Sequence, residues 1–253
     1  MTTQTTNERP SNGRRALPRK LWVGVALAAV VAVIAAGVGL WYVLIGPSGP
    51  AAVDSAPPVI PSNTVAAPAS LDGTWNVVDN LGSMDDGSAT FAGYRVQEQL
   101  VGIGGHTAVG RTPGVTGSLI LSGSKVTQVS VTVDMTRLAS DDSFRDGQLQ
   151  HQAIETNKFP TSTFETTQVI DLGSVPADGH TIAVDATGRL TLHGVTRTVT
   201  VSLQARRVGG IIAVTGSLPI VFSDWSIQRP TSFSVLSVDD HGTMEFHLLF
   251  VHA

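Results

Sequence analysis

The sequence predicts an all-β fold, an extended antiparallel barrel of eight strands with one short helix, preceded by a single transmembrane α-helix. Three observations carry this. Beyond residue 70, apolar residues recur with period two, which gives each strand one wet and one apolar face. Gly, Asn, Asp and Ser punctuate those runs at short intervals, as tight turns between antiparallel strands require. Leu21 to Ile45 carries no charge. At ~1.5 Å per residue it is long enough to cross ~30 Å of hydrocarbon.

The chain opens with a polar, basic tail over 1–20, where Arg9, Arg14, Arg15, Arg19 and Lys20 face one acid, Glu8. The span 21–45 follows, with Trp22 at one end and Trp41 and Tyr42 at the other, rings that favour the membrane–water boundary. The positive-inside rule places the N-terminus in the cytoplasm and the C-terminal domain on the extracytoplasmic side of the cell membrane. A cleaved signal peptide is the competing reading, but its apolar core runs only ~7–15 residues. Arg14-Arg15 suggests a twin-arginine signal, although topogenic charge accounts for the pair. Residues 46–70, rich in Pro, Ala and Ser, read as a semi-extended linker. Residues 71–253 are long enough for one domain with a substantial core.

Within that domain, Val129, Val131, Val133 and Met135 alternate with polar residues. Ile182, Val184, Ala186, Leu190 and Leu192 share the next clear face, then Val195, Val199, Val201 and Leu203, and finally Met244, Phe246, Leu248 and Phe250. Turns are expected at Asp79–Gly82, Ser122–Ser124, Pro176–Gly179 and Gly209-Gly210. Eight strands close into a barrel without exposed edges. One stretch departs from this pattern. Ser140-Asp141-Asp142-Ser143 offers capping side chains, and Phe144 to Glu155 has helical spacing that Pro160 must end. A helix there would cover one barrel mouth.

Charge and composition narrow the function. The chain holds 16 basic and 20 acidic residues, and with most of its early bases in the tail the exterior domain is acidic, a poor partner for nucleic acid. It has no cysteine, which excludes disulfides, thiolate catalysis and Cys–zinc sites. No G-x-S-x-G elbow, H-E-x-x-H or phosphate loop occurs. His241, Glu245 and His247 share strand parity, which suits either a metal grip or, more plainly, the wet face of the last strand.

The most specific segment is Leu190-Thr191-Leu192-His193-Gly194-Val195-Thr196-Arg197-Thr198-Val199-Thr200-Val201. It reads as a hairpin whose His193-Gly194 connection suits a primed turn, with His193 a turn residue that donates to backbone. Other pieces surround it in order: Leu71-Asp72-Gly73-Thr74-Trp75, Tyr94-Arg95-Val96-Gln97-Glu98, Ala108-Val109-Gly110-Arg111-Thr112, Val115-Thr116-Gly117, Val133-Asp134-Met135 before Arg145-Asp146, Lys158-Phe159-Pro160-Thr161-Ser162-Thr163-Phe164, Asp224-Trp225-Ser226-Ile227 and Gly242-Thr243-Met244-Glu245-Phe246. Together they resemble the YceI-like family of lipid-binding proteins over essentially all of 71–253. The resemblance implies a lipocalin-like antiparallel barrel that holds a long isoprenoid or similar amphiphile in an apolar lumen. It implies no catalytic residue, so the chain is not expected to be an enzyme. Many relatives resemble secreted proteins, whereas this chain carries a tether.

The expected lumen lining is Trp75, Tyr94, Val96, Val129, Val131, Val133, Met135, Phe164, Leu190, Leu192, Val199, Val201, Phe222, Trp225, Phe246 and Phe250. Glu98 and Arg197 fall on apolar faces by parity. A lone charge there costs several kcal/mol, roughly, unless paired or near water. They are therefore either headgroup contacts at a mouth, a structural ion pair, or re-aimed outward by a bulge. The expected partners are a long-chain isoprenoid or quinone-like lipid and the membrane, with a homodimer left open and no cofactor or metal. The sequence leaves open a filled β-domain acting as an envelope interaction module. Periodicity alone does not tell a hollow interior from a packed one.

Overall fold

A computed structural model describes residues 50–53, 57–61, 65–102, 104–230 and 235–253. The basic tail and the predicted span 21–45 lie outside the described residues, among which no helix is long and apolar enough to cross a membrane.

The strands run in chain order β1 (Gly73–Val78), β2 (Phe91–Leu100), β3 (Gly104–Thr112), β4 (Val115–Ser122), β5 (Lys125–Asp134), the short β6 (Ala139–Ser140), β7 (Thr161–Thr166), the short β8 (Ile170–Asp171), β9 (Thr181–Leu192), β10 (Val195–Val208), β11 (Ile211–Val221), β12 (Val235–Val238) and β13 (His241–His252). Eight of them close an antiparallel barrel in the order β1-β4-β5-β7-β9-β10-β11-β13, with β13 returning to β1. The remaining strands extend this frame. β13 gives the end of its length to β1 and its first half to β2, where Thr243 faces Arg95 and His247 faces Phe91. β2 pairs with β3, which runs into β4 across Pro113-Gly114.

The predicted local features occur where their chemistry puts them. The β9–β10 hairpin turns at His193-Gly194 with both residues at positive φ, 50° and 74°, the backbone of a two-residue primed turn. Asp142 caps the short helix Ser143–Gln148 by accepting from the Phe144 and Arg145 amides. The helix then widens into a π-type turn over Leu149–Ala153 and ends before Glu155, which takes φ 49°. Leu138, Leu149 and Ala153 pack it over Tyr94, Met135 and Ile227, so it lies across one end of the barrel.

The segment expected as linker is partly laid against the barrel wall. Pro58 is fully buried. Ile60 and Val65 pack on the outward-facing Ile211, Ala213 and Leu249, and the Val65 carbonyl accepts from Gly210 N at 2.9 Å. β13 is consequently covered on both faces: Leu248 and Phe250 point inward, while Glu245, His247 and Leu249 point outward beneath other chain.

Candidate functional site: a two-chambered lumen

The inward faces enclose two cavities. The upper chamber, about 190 Å³, is lined chiefly by β5, β7, β9, β10, β11 and β13, including Val129, Val131, Phe164, Leu190, Val201, Phe246 and Phe250. The lower chamber, about 130 Å³, lies beneath the helix and includes Tyr94, Val96, Met135, Leu149, Leu192 and Phe222. Ala92, Val133, Ser162 and Met244 line both, so the two chambers adjoin. Together they reach the lower end of the usual range for ligand pockets, roughly 300–1,000 Å³. Inward-facing Val129, Phe164, Val184, Leu203, Ile212 and Phe246 are half-buried rather than fully buried, as expected for side chains that meet empty space on one side.

Glycines keep these chambers open. A Cβ on Gly188 would lie 2.6 Å from the Phe164 ring, one on Gly216 2.6 Å from the Phe246 ring, and one on Gly110 2.3 Å from the Tyr94 ring. Each of these aromatics comes close to a neighbouring strand where no side chain stands, the close approach that a strand glycine permits. Without that recess the rings would project across the lumen.

The structure brings most of the predicted lining together. Three residues are elsewhere. Trp75 is fully buried in packed core with Leu119, Leu121 and Phe250, its Nε1 donating to the Leu71 carbonyl at 2.9 Å. Trp225 packs with Leu190, Leu192 and Ile220, and Val199 lies at the edge of that cluster; neither lines a chamber. Arg197 keeps the strand parity expected of it, opposite Leu190, but lies outside both chambers. Its side chain is 48% exposed and pairs with Asp224 through the carbonyl at 2.7 Å and the carboxylate at 3.5 Å.

Glu98 is different. It is buried, lines the lower chamber and accepts from Arg145 Nη2 at 2.7 Å, with His106 Nδ1 at 3.1 Å. Arg145 also lines the chamber and donates to Asp141 at 2.7 Å and to the Ser140 hydroxyl at 3.2 Å. Burial works against the Arg145 charge, but its bonds to Glu98 and Asp141 and the Glu98 charge outweigh this and raise its pKa. The Ser140 hydroxyl donates to Asp146 Oδ1 at 2.7 Å. The Tyr94 hydroxyl is buried beside this group and has no hydrogen-bond partner among the described residues. Burial, above all, pushes its pKa far above the ordinary phenol range. Sequence reasoning singled out Glu98 but missed Arg145 and His106. Strand parity flags a buried charge, but Arg145 sits on a helix far along the chain, and His106 meets Glu98 only through the β2–β3 register.

The outer face of β13 requires a correction. Glu245 and His247, read as a wet face, are each only 1% exposed. Arg95 Nε reaches Glu245 Oε2 at 2.7 Å and Arg111 Nη2 reaches Oε1 at 2.7 Å, while the Arg111 guanidinium lies 4.0 Å above the Phe91 ring. Arg95 and Arg111 also donate to the carbonyls of Pro50 and Ala51. The His247 ring nitrogens lie 2.9 Å from the Ala89 and Val59 carbonyls. His241 is exposed and pairs with Asp240, so the three residues that share parity do not converge on a common point. His193 is buried in its turn, with Nδ1 3.0 Å from the Trp225 carbonyl and Nε2 2.9 Å from Glu155. It pins the hairpin to the segment after the helix.

Comparison with known proteins adds an independent line. The family model described as YceI-like domain matches residues 85–250. A UPF0312 protein of Vibrio parahaemolyticus is 36% identical over 78 residues, 30% of this chain and 38% of that protein. A UPF0312 protein of Vibrio vulnificus is 38% identical over a stretch of the same length and coverage. The match thus spans under two fifths of the length of these curated relatives. Among solved structures, a polyisoprenoid binding domain from Saccharophagus degradans, implicated in plant cell wall breakdown, is similar with a TM-score of 0.54 at 18% identity, over 72% of this chain and 99% of that one. That likeness is one of fold.

Proposed function

The chain belongs to the YceI-like domain family, and on that premise we propose that it is a membrane-tethered, extracytoplasmic binding protein that holds a long-chain isoprenoid, quinone or similar amphiphilic lipid in its barrel. One observation carries the reading: the inner faces of the barrel strands enclose two adjoining apolar cavities rather than interlocking. Burial of hydrocarbon in such cavities contributes ~25 cal/mol per Å² of apolar surface, so a polyprenyl tail needs little polar recognition. A filled β-domain serving only as an interaction module has no use for this cavity. The span 21–45 supplies the tether, which raises the effective concentration of the barrel at the bilayer. This reading gives the chain no catalytic step.

The test is organic extraction of the purified full-length chain followed by mass spectrometry. Reproducible recovery of a long-chain isoprenoid supports the reading. An empty extract, together with no uptake of added lipid, overturns it.

A further inference from the structure

The segment before β1 climbs the outer wall of the barrel in one direction. The Pro50 and Ala51 carbonyls accept from Arg95 and Arg111, at the level of the lower chamber, where Thr243 lines the cavity opposite Arg95. The Val59 carbonyl meets His247 and the Val65 carbonyl meets Gly210, next to Arg207 and Ile212 of the upper chamber. Pro50, the first residue of the segment that the structure describes, is thus fixed at the lower end.

Large apolar side chains stand exposed at that same end. Val101, Phe144 and Leu236 are 52%, 61% and 71% exposed. Leu236 lies on β12 between residues paired with Leu100 and Gln99 of β2, and Val101 follows β2 directly. Phe144 is in the first turn of the helix over the lower chamber, and its neighbour Arg145 is bonded to Glu98 of the same strand. The three therefore surround one end of β2. Exposed charges of both signs stand near them, Asp141, Asp142, Asp239 and Asp240 with Arg137 and Arg229. Such a surface suits the headgroup zone of a bilayer, where apolar side chains leave water while charges stay in it.

Val169 and Val175 are exposed at the upper end, so exposure alone does not choose between the two mouths. Reach does. Four residues separate Ile45, the end of the proposed span, from Pro50, and fully extended they cover at most about 18 Å. From Thr243, opposite Arg95, to Val251, opposite Ile211, β13 runs about 27 Å, or roughly 21 Å along the barrel axis at a strand tilt near 40°. A barrel standing on its upper mouth would lift Pro50 farther from the membrane than that chain extends. One standing on its lower mouth does not.

Resting on the tethered reading above, we propose that the lower end of the barrel is a bilayer-contacting face, on which Val101, Phe144 and Leu236 enter the headgroup zone and hold the lower mouth against the membrane surface. The docked segment is the strap that fixes this orientation. A lipid chain entering the lower chamber then leaves the bilayer without crossing open water.

The chain has no cysteine, so single fluorescent labels can be placed on it. Full-length Ser143→Cys, Ser237→Cys and Ser174→Cys proteins, each labelled, are reconstituted into phosphatidylcholine vesicles carrying a lipid with a nitroxide on its headgroup. Ser143 and Ser237 adjoin Phe144 and Leu236, Ser174 adjoins Val175 at the other end, and all three serines are exposed. Quenching is expected to be several-fold stronger for the labels at Ser143 and Ser237 than for the one at Ser174. Phe144→Glu combined with Leu236→Glu, at exposed positions where the fold tolerates change, is expected to bring quenching of the Ser143 label down to that of the Ser174 label. Equal or reversed quenching, or an unchanged signal in the combined variant, overturns the face. Protein washed from the vesicles by alkaline carbonate overturns the tether, and this orientation with it, so the two failures are distinguishable.

Discussion

Two residues show how position decides what a side chain contributes. Gly216 lies under the Phe246 ring, and an added Cβ would meet that ring at 2.6 Å and Leu203 at 2.8 Å. The unobstructed direction for the ring is inward, because the lumen is empty on that side. Gly216→Val is therefore expected to cost little stability, under the ~1–3 kcal/mol of overpacking in a dense core, yet to narrow the passage. Lipid recovered per mole of protein should fall several-fold while the urea midpoint moves little. A large drop in midpoint with full lipid retention would mean the ring has no space to move into. Glu245 is the opposite case. It is buried between Arg95 and Arg111, and its loss leaves two guanidinium groups facing each other under cover. Glu245→Gln is expected to destabilise the domain by about 3 kcal/mol or more, measured by urea unfolding. A change under ~1 kcal/mol would place this cluster with ordinary exposed pairs.

At the level of elements, the segment before β1 joins the wall through its carbonyls as well as through the side chains of Pro58, Ile60 and Val65. Pro50, Ala51, Val59 and Val65 each offer a carbonyl to Arg95, Arg111, His247 or Gly210. Gly210 has no room for a side chain there, since a Cβ would sit 2.2 Å from the Ala66 carbonyl. Gly210→Val is expected to lift this segment and expose it to limited proteolysis between residues 57 and 70, with the barrel itself remaining resistant. His247 gives the same contact a pH dependence. Its pKa is lowered from the ordinary value of 6.5, chiefly by burial, against the Ala89 and Val59 carbonyls that favour the charged ring and with Arg111 lowering it further. Arg111 is the charged group that acts on it. Because the folded pKa lies below the unfolded one, the unfolded chain binds more protons in acid. The contribution of His247 to stability is thus complete above about pH 6.5 and is lost as pH falls through the folded pKa. Wild type is expected to lose more stability between about pH 7 and pH 5 than His247→Gln, and parallel pH profiles would remove His247 as the cause. Little of this was legible in the sequence. Period two places Glu245 and His247 on the outer face correctly, but alternation does not tell water from a covering strand of chain, and a Pro/Ala/Ser-rich stretch carries no pattern that announces docking through its backbone.

At the scale of the whole molecule, the barrel was legible because its rules are local. Alternation at Val129 to Val133, Ile182 to Leu192 and Met244 to Phe250, together with a Gly-containing two-residue turn, is enough to fix which side chains face inward and that β9 pairs with β10. Whether the interior is filled depends on distances between strands far apart in sequence and on small residues such as Gly188 and Gly216, which alternation reads only as gaps. The inward and outward assignment can be tested in full by charge placement. Val131 and Val201 are buried and line the upper chamber, whereas their neighbours Ser130 and Thr200 stand on the other side of the same strands, with Thr200 exposed. An unpaired carboxylate in the apolar passage costs several kcal/mol, roughly, and draws water after it, so Val131→Asp and Val201→Asp should abolish retention of a long-chain lipid. Ser130→Asp and Thr200→Asp place the same charge on the outer surface and should retain lipid at the wild-type level. Equal retention across the four variants would mean that the ligand is held somewhere other than between these strands, because no hydrocarbon chain threaded past Val131 and Val201 would be indifferent to a charge on the inner wall alone.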